Sequence, residues 1–245
     1  MAILSERLTA VAEMITPGRI VADIGCDHAY LSIYLLKNEI CERVIACDIN
    51  KGPLEIAKSN IAIAGYADQI DVRLADGLKG IKKGEVSSIV IAGMGGRLMG
   101  KILDEGRDVL ETVHEIILEP QSEVASLRHF LEDNGYFIVS EEMVFEEGKY
   151  YPIIKAEHGS MNLGDEIYYK YGKILLREEN PILHQFLIQE KTYYGQLLME
   201  LSANKDKPKV ASRIDEVRIE LAQCEKALVM MNEPGIYQDN RIIVD

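Results

Sequence analysis

The sequence predicts an α/β fold: a mostly parallel, seven-stranded sheet followed by a helical appendage. Three observations carry that expectation. Short β-branched runs alternate with helical stretches through the first two-thirds of the chain, the pattern of strands joined by crossover helices. The last two such runs are separated only by Glu146-Glu147-Gly148-Lys149, too short for a parallel crossover, so they form an antiparallel pair. Beyond His158-Gly159-Ser160 the alternation stops and apolar residues recur every three or four positions.

Element by element, Arg19–Ile24 (RIVADI) reads as a strand that stops at Gly25, with a helix across Ala29–Lys37. Arg43–Asp48, a helix over Gly52–Ala64 and the strand Ile70–Ala75 follow. Ser88–Ala92 is a strand that runs into Gly93-Met94-Gly95-Gly96 and then a helix at Leu98–Asp104. Glu115–Glu119 supplies the fifth strand, and Ser122–Asn134 a helix closed by Gly135. Tyr136–Val144 and Tyr150–Glu157 form the terminal pair. In the appendage, Leu183, Leu187, Glu190, Tyr194, Leu197 and Leu201 make one seam, with Glu190 its misfit. Val210, Ile214, Val217, Leu221, Cys224, Leu228 and Met231 make another. The polar linker Ser202–Lys209, with Pro208 suited to a helix start, predicts an antiparallel coiled-coil hairpin. The expected domains are residues 1–160 for the sheet and 161–232 for the helices, with 233–245 an unassigned tail.

Of the 245 residues, 47% are hydrophobic and 27% charged, which excludes global disorder. No apolar run approaches the ~18 residues of a membrane span, and no basic-then-apolar leader stands at the start. Cys26, Cys41, Cys47 and Cys224 lack paired metal spacing and read as reduced thiols, so a cytoplasmic protein without a metal centre or membrane partner is expected. The net charge of −13 argues mildly against a nucleic-acid partner, since phosphate binding leaves a basic footprint.

The first strand–turn–helix, Asp23-Ile24-Gly25-Cys26-Asp27-His28-Ala29-Tyr30, sharpens the charge argument. Ligands of open α/β sheets sit at the carboxyl ends of the strands near this turn. A dinucleotide site needs glycines there, with the helix N-terminus facing a pyrophosphate. Asp27 puts a carboxylate in that space instead, which suits a cationic cofactor such as S-adenosylmethionine. Asp48 ends the second strand at the spacing of a ribose-binding acid, and Asp76 follows the third, placed to accept from an adenine amine. Each of these two reads equally as a structural cap. Asp23 either meets the cofactor ammonium or fixes the turn. The glycines at 93–96 permit close approach of backbone to cofactor and substrate, or make a tight turn before the helix. The Asn/Asp-Pro-Pro-aromatic loop of exocyclic-amine methyltransferases does not stand at this strand end. Cys26 has no His relay around it, which disfavours a covalent nucleophile, and Tyr150-Tyr151 reads as sheet packing.

Asp-Ile-Gly-Cys-Asp-His-Ala-Tyr-Leu at 23–31, Ala-Asp-Gly-Leu at 75–78 and Ile-Ala-Gly-Met-Gly-Gly at 91–96 resemble the bacterial tRNA (adenine(22)-N1)-methyltransferase family. Leu4-Ser5-Glu6-Arg7-Leu8, Leu127-Arg128, Asn134-Gly135-Tyr136 and the order of sheet and helical parts look like that family too. The resemblance implies a Rossmann-like class I methyltransferase that uses S-adenosyl-L-methionine and acts on N1 of a D-arm adenine in tRNA. It implies that Asp23, Gly25, His28, Asp48, Asp76 and Gly77 line the cofactor pocket, with Gly93 and Met94 at its reacting end. Asp27 is the expected catalytic contact with the target adenine. Glu119 before Pro120-Gln121 departs from the polar amide more usual in the family.

With a tRNA substrate implied, the charges need local reading. Residues 161–245 hold 11 basic and 14 acidic side chains, against 16 and 26 before them, so neither part is basic and recognition must use patches. The expected substrate contacts are Lys205, Lys207 and Lys209 at the hairpin tip and Arg97 after the glycine loop; Lys79, Lys82, Lys83 and Lys101 form the other clusters. A monomer is expected. The rival readings are a methyltransferase with a small-molecule or protein acceptor, and a catalytically silent nucleotide-binding module. An oxidoreductase ranks behind both, because Asp27 obstructs a pyrophosphate.

Overall fold

The computed structural model describes residues 4–203 and 208–232. The chain divides into two compact units, Met1–Asn162 and Leu163–Asp245.

The first unit runs α1 (Glu6–Glu13), β1 (Arg19–Ile24), α2 (Tyr30–Lys37), β2 (Cys41–Asp48), α3 (Lys51–Ala64), β3 (Ile70–Leu74) and a 3-10 turn at Gly77–Gly80. It continues with β4 (Ser88–Gly95), α4 (Gly96–Glu105), α5 (Arg107–Leu110), β5 (Glu115–Ser122), α6 (Val124–Asp133), β6 (Tyr136–Glu146) and β7 (Lys149–His158). The seven strands make one sheet in the order β3-β2-β1-β4-β5-β7-β6. β1 to β5 are parallel, and β7 is antiparallel to both β5 and β6. This is the seven-stranded, Rossmann-like α/β sheet that the alternating pattern predicts.

Progression reverses between β1 and β4. The chain walks outward from β1 through β2 to β3, then returns to β4 on the opposite side of β1. The crevice at such a reversal is where open α/β sheets bind ligands. β1 is covered on both faces: Val21 and Ala22 have no exposure and Ile24 is buried, as central parallel strands require. Asp23 is the polar exception in that strand, also buried. The β6–β7 connection has the two-residue form with positive φ at both positions, +49° at Glu147 and +78° at Gly148, whose twist matches paired strands.

Three features go beyond the sequence-based expectations. α1 was not anticipated; the Ser5 side chain accepts from the Leu8 amide at its start, and Val11 and Ala12 enter the core. β7 inserts between β5 and β6, so the last strand of the hairpin is the inner one. β5 continues past Glu119 to Ser122, with Pro120 opposite Met94 where the register of β4 breaks. Proline lacks the amide for a regular ladder, and the irregular partner removes the need for it.

In the second unit, α7 (Glu166–Tyr171) and α8 (Lys173–Arg177) precede α9 (Pro181–Ser202) and α10 (Pro208–Asn232). Asn180 caps α9 by accepting from the Ile182 and Leu183 amides, each at 3.0 Å. The long helices pack antiparallel: the Cys224 thiol donates to the Leu187 carbonyl at 3.1 Å, Glu190 lies near Glu220, and Tyr194 near Arg213. Leu183, Leu187, Ile214, Val217, Cys224, Leu228 and Met231 are buried along that seam. Glu190, the misfit, accepts from the hydroxyls of Tyr171 at 2.8 Å and Tyr194 at 3.4 Å. A carboxylate at an apolar position is tolerable when donors meet it there. Among the described residues, no helix is long and apolar enough to cross a membrane.

Arg128 of α6 and Glu141 of β6 form a fully buried ion pair, Nε and Nη2 meeting Oε1 at 2.9 and 2.8 Å. Removing one partner leaves an uncompensated charge in the core. Arg128→Ala is therefore expected to lower unfolding free energy in urea by about 3–5 kcal/mol, whereas Arg128→Met with Glu141→Leu loses much less.

Candidate active site

The site is built at the end of β1. Gly25 adopts φ +77°, and a Cβ placed there would stand 2.3 Å from Met94 Cε, so both conformation and space call for glycine. The Gly25 and Cys26 amides both donate to the Cys47 carbonyl at the end of β2, at 2.8 and 2.9 Å. The next amide, that of Asp27, donates to Asp48 Oδ2 at 3.2 Å, and Asp48 Oδ1 accepts from the Asn50 amide at 2.8 Å. Three successive amides of the turn are thus directed to the end of β2.

One amide at the start of α2 is taken in the same way. Ser32, third residue of that helix, donates its hydroxyl to Asp23 Oδ2 at 2.6 Å and its amide to the same carboxylate. First-turn amides have no partner within a helix, and a carboxylate beside them is also favoured by the helix dipole. Burial nonetheless lifts the Asp23 carboxyl to about 6. These contacts support the turn-fixing role of Asp23. They do not place it against an ammonium.

Between these anchors the turn presents acid. Asp27 lies at φ +48°, a region that aspartate tolerates better than most residues, and its carboxylate is 68% exposed. His28 Nε2 stands 3.5 Å from Asp27 Oδ1, and the His28 ring meets Tyr30 edge-on at 5.8 Å. Asn60 of α3 donates to the His28 carbonyl at 3.0 Å. Ala29 takes φ +60°, a strained state for a residue with a Cβ, so the turn is held by its neighbours rather than by its own preference. Cys26 is buried, and its thiol is pushed far up by desolvation and then by Asp23. A thiol held protonated is a poor nucleophile, which agrees with the sequence argument against covalent catalysis.

Asp76 lies two residues beyond the end of β3, which pairs with the end of β2. It is exposed and ion-paired with Lys79 at 2.6 Å, which holds its carboxyl below the ordinary value. Lys79 also reaches Glu105 at 3.1 Å. Gly77 follows with φ +56° against Ile102 of α4.

At the end of β4, Gly93 is exposed at φ +78°, and the strand register breaks on both sides of Met94. The Gly93 amide donates to Glu119 Oε2 at 2.8 Å, and Arg7 Nη1 meets the same oxygen at 2.8 Å. Glu119 has no solvent exposure. Gly96 packs so tightly on the β5–α6 connection that a Cβ would come within 2.5 Å of the Glu123 carbonyl. Arg97 is exposed and paired with Glu123 at 3.0 Å. The structure therefore brings Asp23, Gly25, Asp27, His28, Asp48, Gly93 and Met94 to the adjoining ends of β1, β2 and β4, with Asp76 and Gly77 at the end of β3. Lys205 and Lys207 lie outside the described residues, as does the side chain of Lys209. Ser32 and the Arg7–Glu119 pair were missed by the sequence reasoning. A hydroxyl at the third position of a helix was the signal for Ser32; Arg7 is bound across 112 residues and left no local one.

The comparisons with known proteins converge on one activity. A methyltransferase-domain family model matches residues 4–154. The tRNA (adenine(22)-N(1))-methyltransferase of Bacillus subtilis (strain 168) is 35% identical over 225 residues, spanning 88% of this chain and 94% of its own. The crystal structure of the B. subtilis m1A22 tRNA methyltransferase superposes with a TM-score of 0.82 at 32% identity, covering 93% of this chain and all of that one. The M. capricolum TrmK structure, in complex with the cofactor product S-adenosyl-homocysteine, does so with 0.79 at 27% identity over 94% of this chain and 100% of its own. By sequence match across nearly its whole length, the chain belongs to the tRNA (adenine(22)-N(1))-methyltransferase family.

Proposed function

We propose that the chain transfers a methyl group from S-adenosyl-L-methionine to N1 of adenine 22 in the D-arm of tRNA. The observation that carries this reading is the state of the first turn. Amides that would cradle a pyrophosphate already donate to Cys47 and Asp48, the start of α2 faces Asp23, and the carboxylate of Asp27 points outward. An anion meets the carboxylate of Asp27 and turn amides already committed to Cys47 and Asp48, whereas a cation and a ribose diol find acceptors.

In this reading Asp48 holds the ribose and Asp76, released from Lys79, accepts from the cofactor's adenine amine. Gly25, Gly77 and His28 shape the pocket, and Asp23 supplies negative charge behind the turn. When bound, S-adenosylmethionine supplies a methyl group on a positively charged sulfur. The acceptor N1 carries a lone pair of its own, so no residue has to remove a proton from it. What remains for this chain is orientation of the base and stabilisation of the charge it acquires. Asp27, exposed beside Gly25 and braced by His28, is assigned that role, and Gly93 and Met94 form the opposite wall. N1 lies on the pairing edge, so the nucleotide has to be unpaired and extruded to react.

The domain division follows function: residues 1–160 carry the chemistry, and the helices of 161–232 reach the tRNA body. Lys205, Lys207, Lys209 and Arg97 are the proposed phosphate contacts. Because Arg97 already carries a carboxylate neighbour, its contribution is small and falls with salt.

Labelled cofactor should transfer methyl to a transcript carrying adenine 22 and not to one carrying guanine there. Asp27→Ala should abolish that transfer while S-adenosyl-homocysteine affinity by calorimetry falls only modestly. An active variant refutes the assignment, and equal loss of binding and turnover moves Asp27 to the cofactor site.

Asp23 gives a pH dependence whose sign is fixed. A cationic ligand favours its ionised form, and the ionised fraction grows as pH rises through about 6. Affinity for S-adenosylmethionine should accordingly rise between pH 5 and 7, by at most about tenfold, and then level off, and Asp23→Asn should flatten that slope. A wild-type affinity independent of pH in that range would contradict it.

A further inference from the structure

Among the described residues, Glu119 is the one carboxylate at the strand ends with no access to solvent, and it is not used by the chemistry above. Its Oε2 accepts from both the Gly93 amide and Arg7 Nη1, while Oε1 finds no hydrogen-bond partner among the described residues. A buried acceptor left unsatisfied is costly, and an apolar residue in that place would avoid the cost. A carboxylate at this buried position therefore directs attention to what Oε2 holds.

The Gly93 amide falls at a break in the β4–β5 register, where Ala92 pairs with Glu119 and Met94 with Pro120, so the side chain of Glu119 takes a donor that the irregular ladder leaves over. The residue after Gly93 is Met94, whose methyl overlies Gly25 of the cofactor turn. On the other side, Arg7 is held three ways: by Glu119, by Glu146 with Nε at 3.7 Å, and by the Tyr151 ring at 5.3 Å from its guanidinium carbon. The Glu6 amide adds a bond to Glu146 Oε1 at 2.6 Å. An unbroken line of contacts runs from α1 through Arg7, Glu119 and Gly93 to the wall that faces the turn.

We propose that Arg7 and Glu119 are positioning residues for methyl transfer, which clamp the Gly93–Met94 bulge against the cofactor turn through the Gly93 amide. This rests on the methyltransferase reading above. The carboxylate matters because an acceptor that is charged binds both donors more strongly than a neutral one, and because Arg7 fixes its direction. Neither residue touches the reacting atoms; both act through Gly93 and Met94.

Glu119→Ala, Glu119→Gln, Arg7→Ala and Arg7→Lys test this in the full-length enzyme. The readouts are kcat and KM for tRNA, S-adenosyl-homocysteine affinity, and amide exchange over residues 92–96. Glu119→Ala should lower kcat by about tenfold to a hundredfold, with KM and product affinity held within about threefold, and exchange over 92–96 should speed up. Glu119→Gln, which keeps an acceptor for Gly93, should recover most of kcat and the protection; Arg7→Ala should lie between, and Arg7→Lys above it. A Glu119→Ala enzyme with wild-type kcat and unchanged exchange overturns the proposal. So does a Glu119→Gln enzyme as slow as the alanine variant with protection intact, since that would assign the carboxylate a direct chemical role. If Glu119→Ala does not fold, Arg7→Ala, altered at a partly exposed position, decides by the same exchange readout. A wild-type enzyme that methylates no transcript would refute the functional reading instead, and the exchange data would still decide the clamp.

Discussion

The donation of three successive turn amides to the end of β2 is the contact on which the rest of the site depends. Gly25 and Cys26 give theirs to the Cys47 carbonyl and Asp27 gives its own to Asp48. This draws the loop down over β2, commits Gly25 and Asp27 to positive φ, and leaves the Asp27 carboxylate facing outward. Asp23 completes the arrangement from within the sheet by meeting the start of α2 through Ser32. A common α/β turn, which elsewhere binds phosphate through its amides and helix dipole, here becomes an acidic surface. The inversion is achieved by these hydrogen bonds and the Asp27 carboxylate, without any change in strand topology.

That inversion also resolves the net charge. An excess of acid would ordinarily speak against a nucleic-acid substrate. Here several of the acids are structural parts of the strand ends, so the global balance says little about RNA. The surface cations are largely partnered: Lys79 with Asp76 and Glu105, Lys83 with Asp108 and Glu111, Arg97 with Glu123. Recognition of tRNA by such a surface is correspondingly local and salt-sensitive.

How much of this was legible in the sequence depended on distance along the chain. The parallel strands and the terminal hairpin were readable because each is signalled by its own residues: continuous apolar runs for β1, β2 and β4, and a glutamate–glycine turn for β6–β7. The insertion of β7 between β5 and β6 was not, because a strand's neighbour is chosen by pairing across the sheet and not by the turn that delivers it. Asp23, Asp27 and Asp48 were visible as acids at strand ends, yet the distinction between fixing a turn and facing a ligand needed Ser32 and the amide directions. Glu190 read as a flaw in an apolar seam until Tyr171 and Tyr194 were seen to meet it. Arg7 and Glu119, far apart in sequence, carried only a motif and a departure from a motif.

Committed turn amides and an exposed Asp27 carboxylate should make the first turn selective for a cationic nucleotide cofactor over an anionic dinucleotide. Parallel calorimetric titrations of the wild-type protein with S-adenosylmethionine and with NAD test this most directly. Saturable binding of S-adenosylmethionine with no measurable heat from NAD is the predicted result. Comparable affinity for NAD would show that the turn can still present donors to a pyrophosphate, and would contradict it.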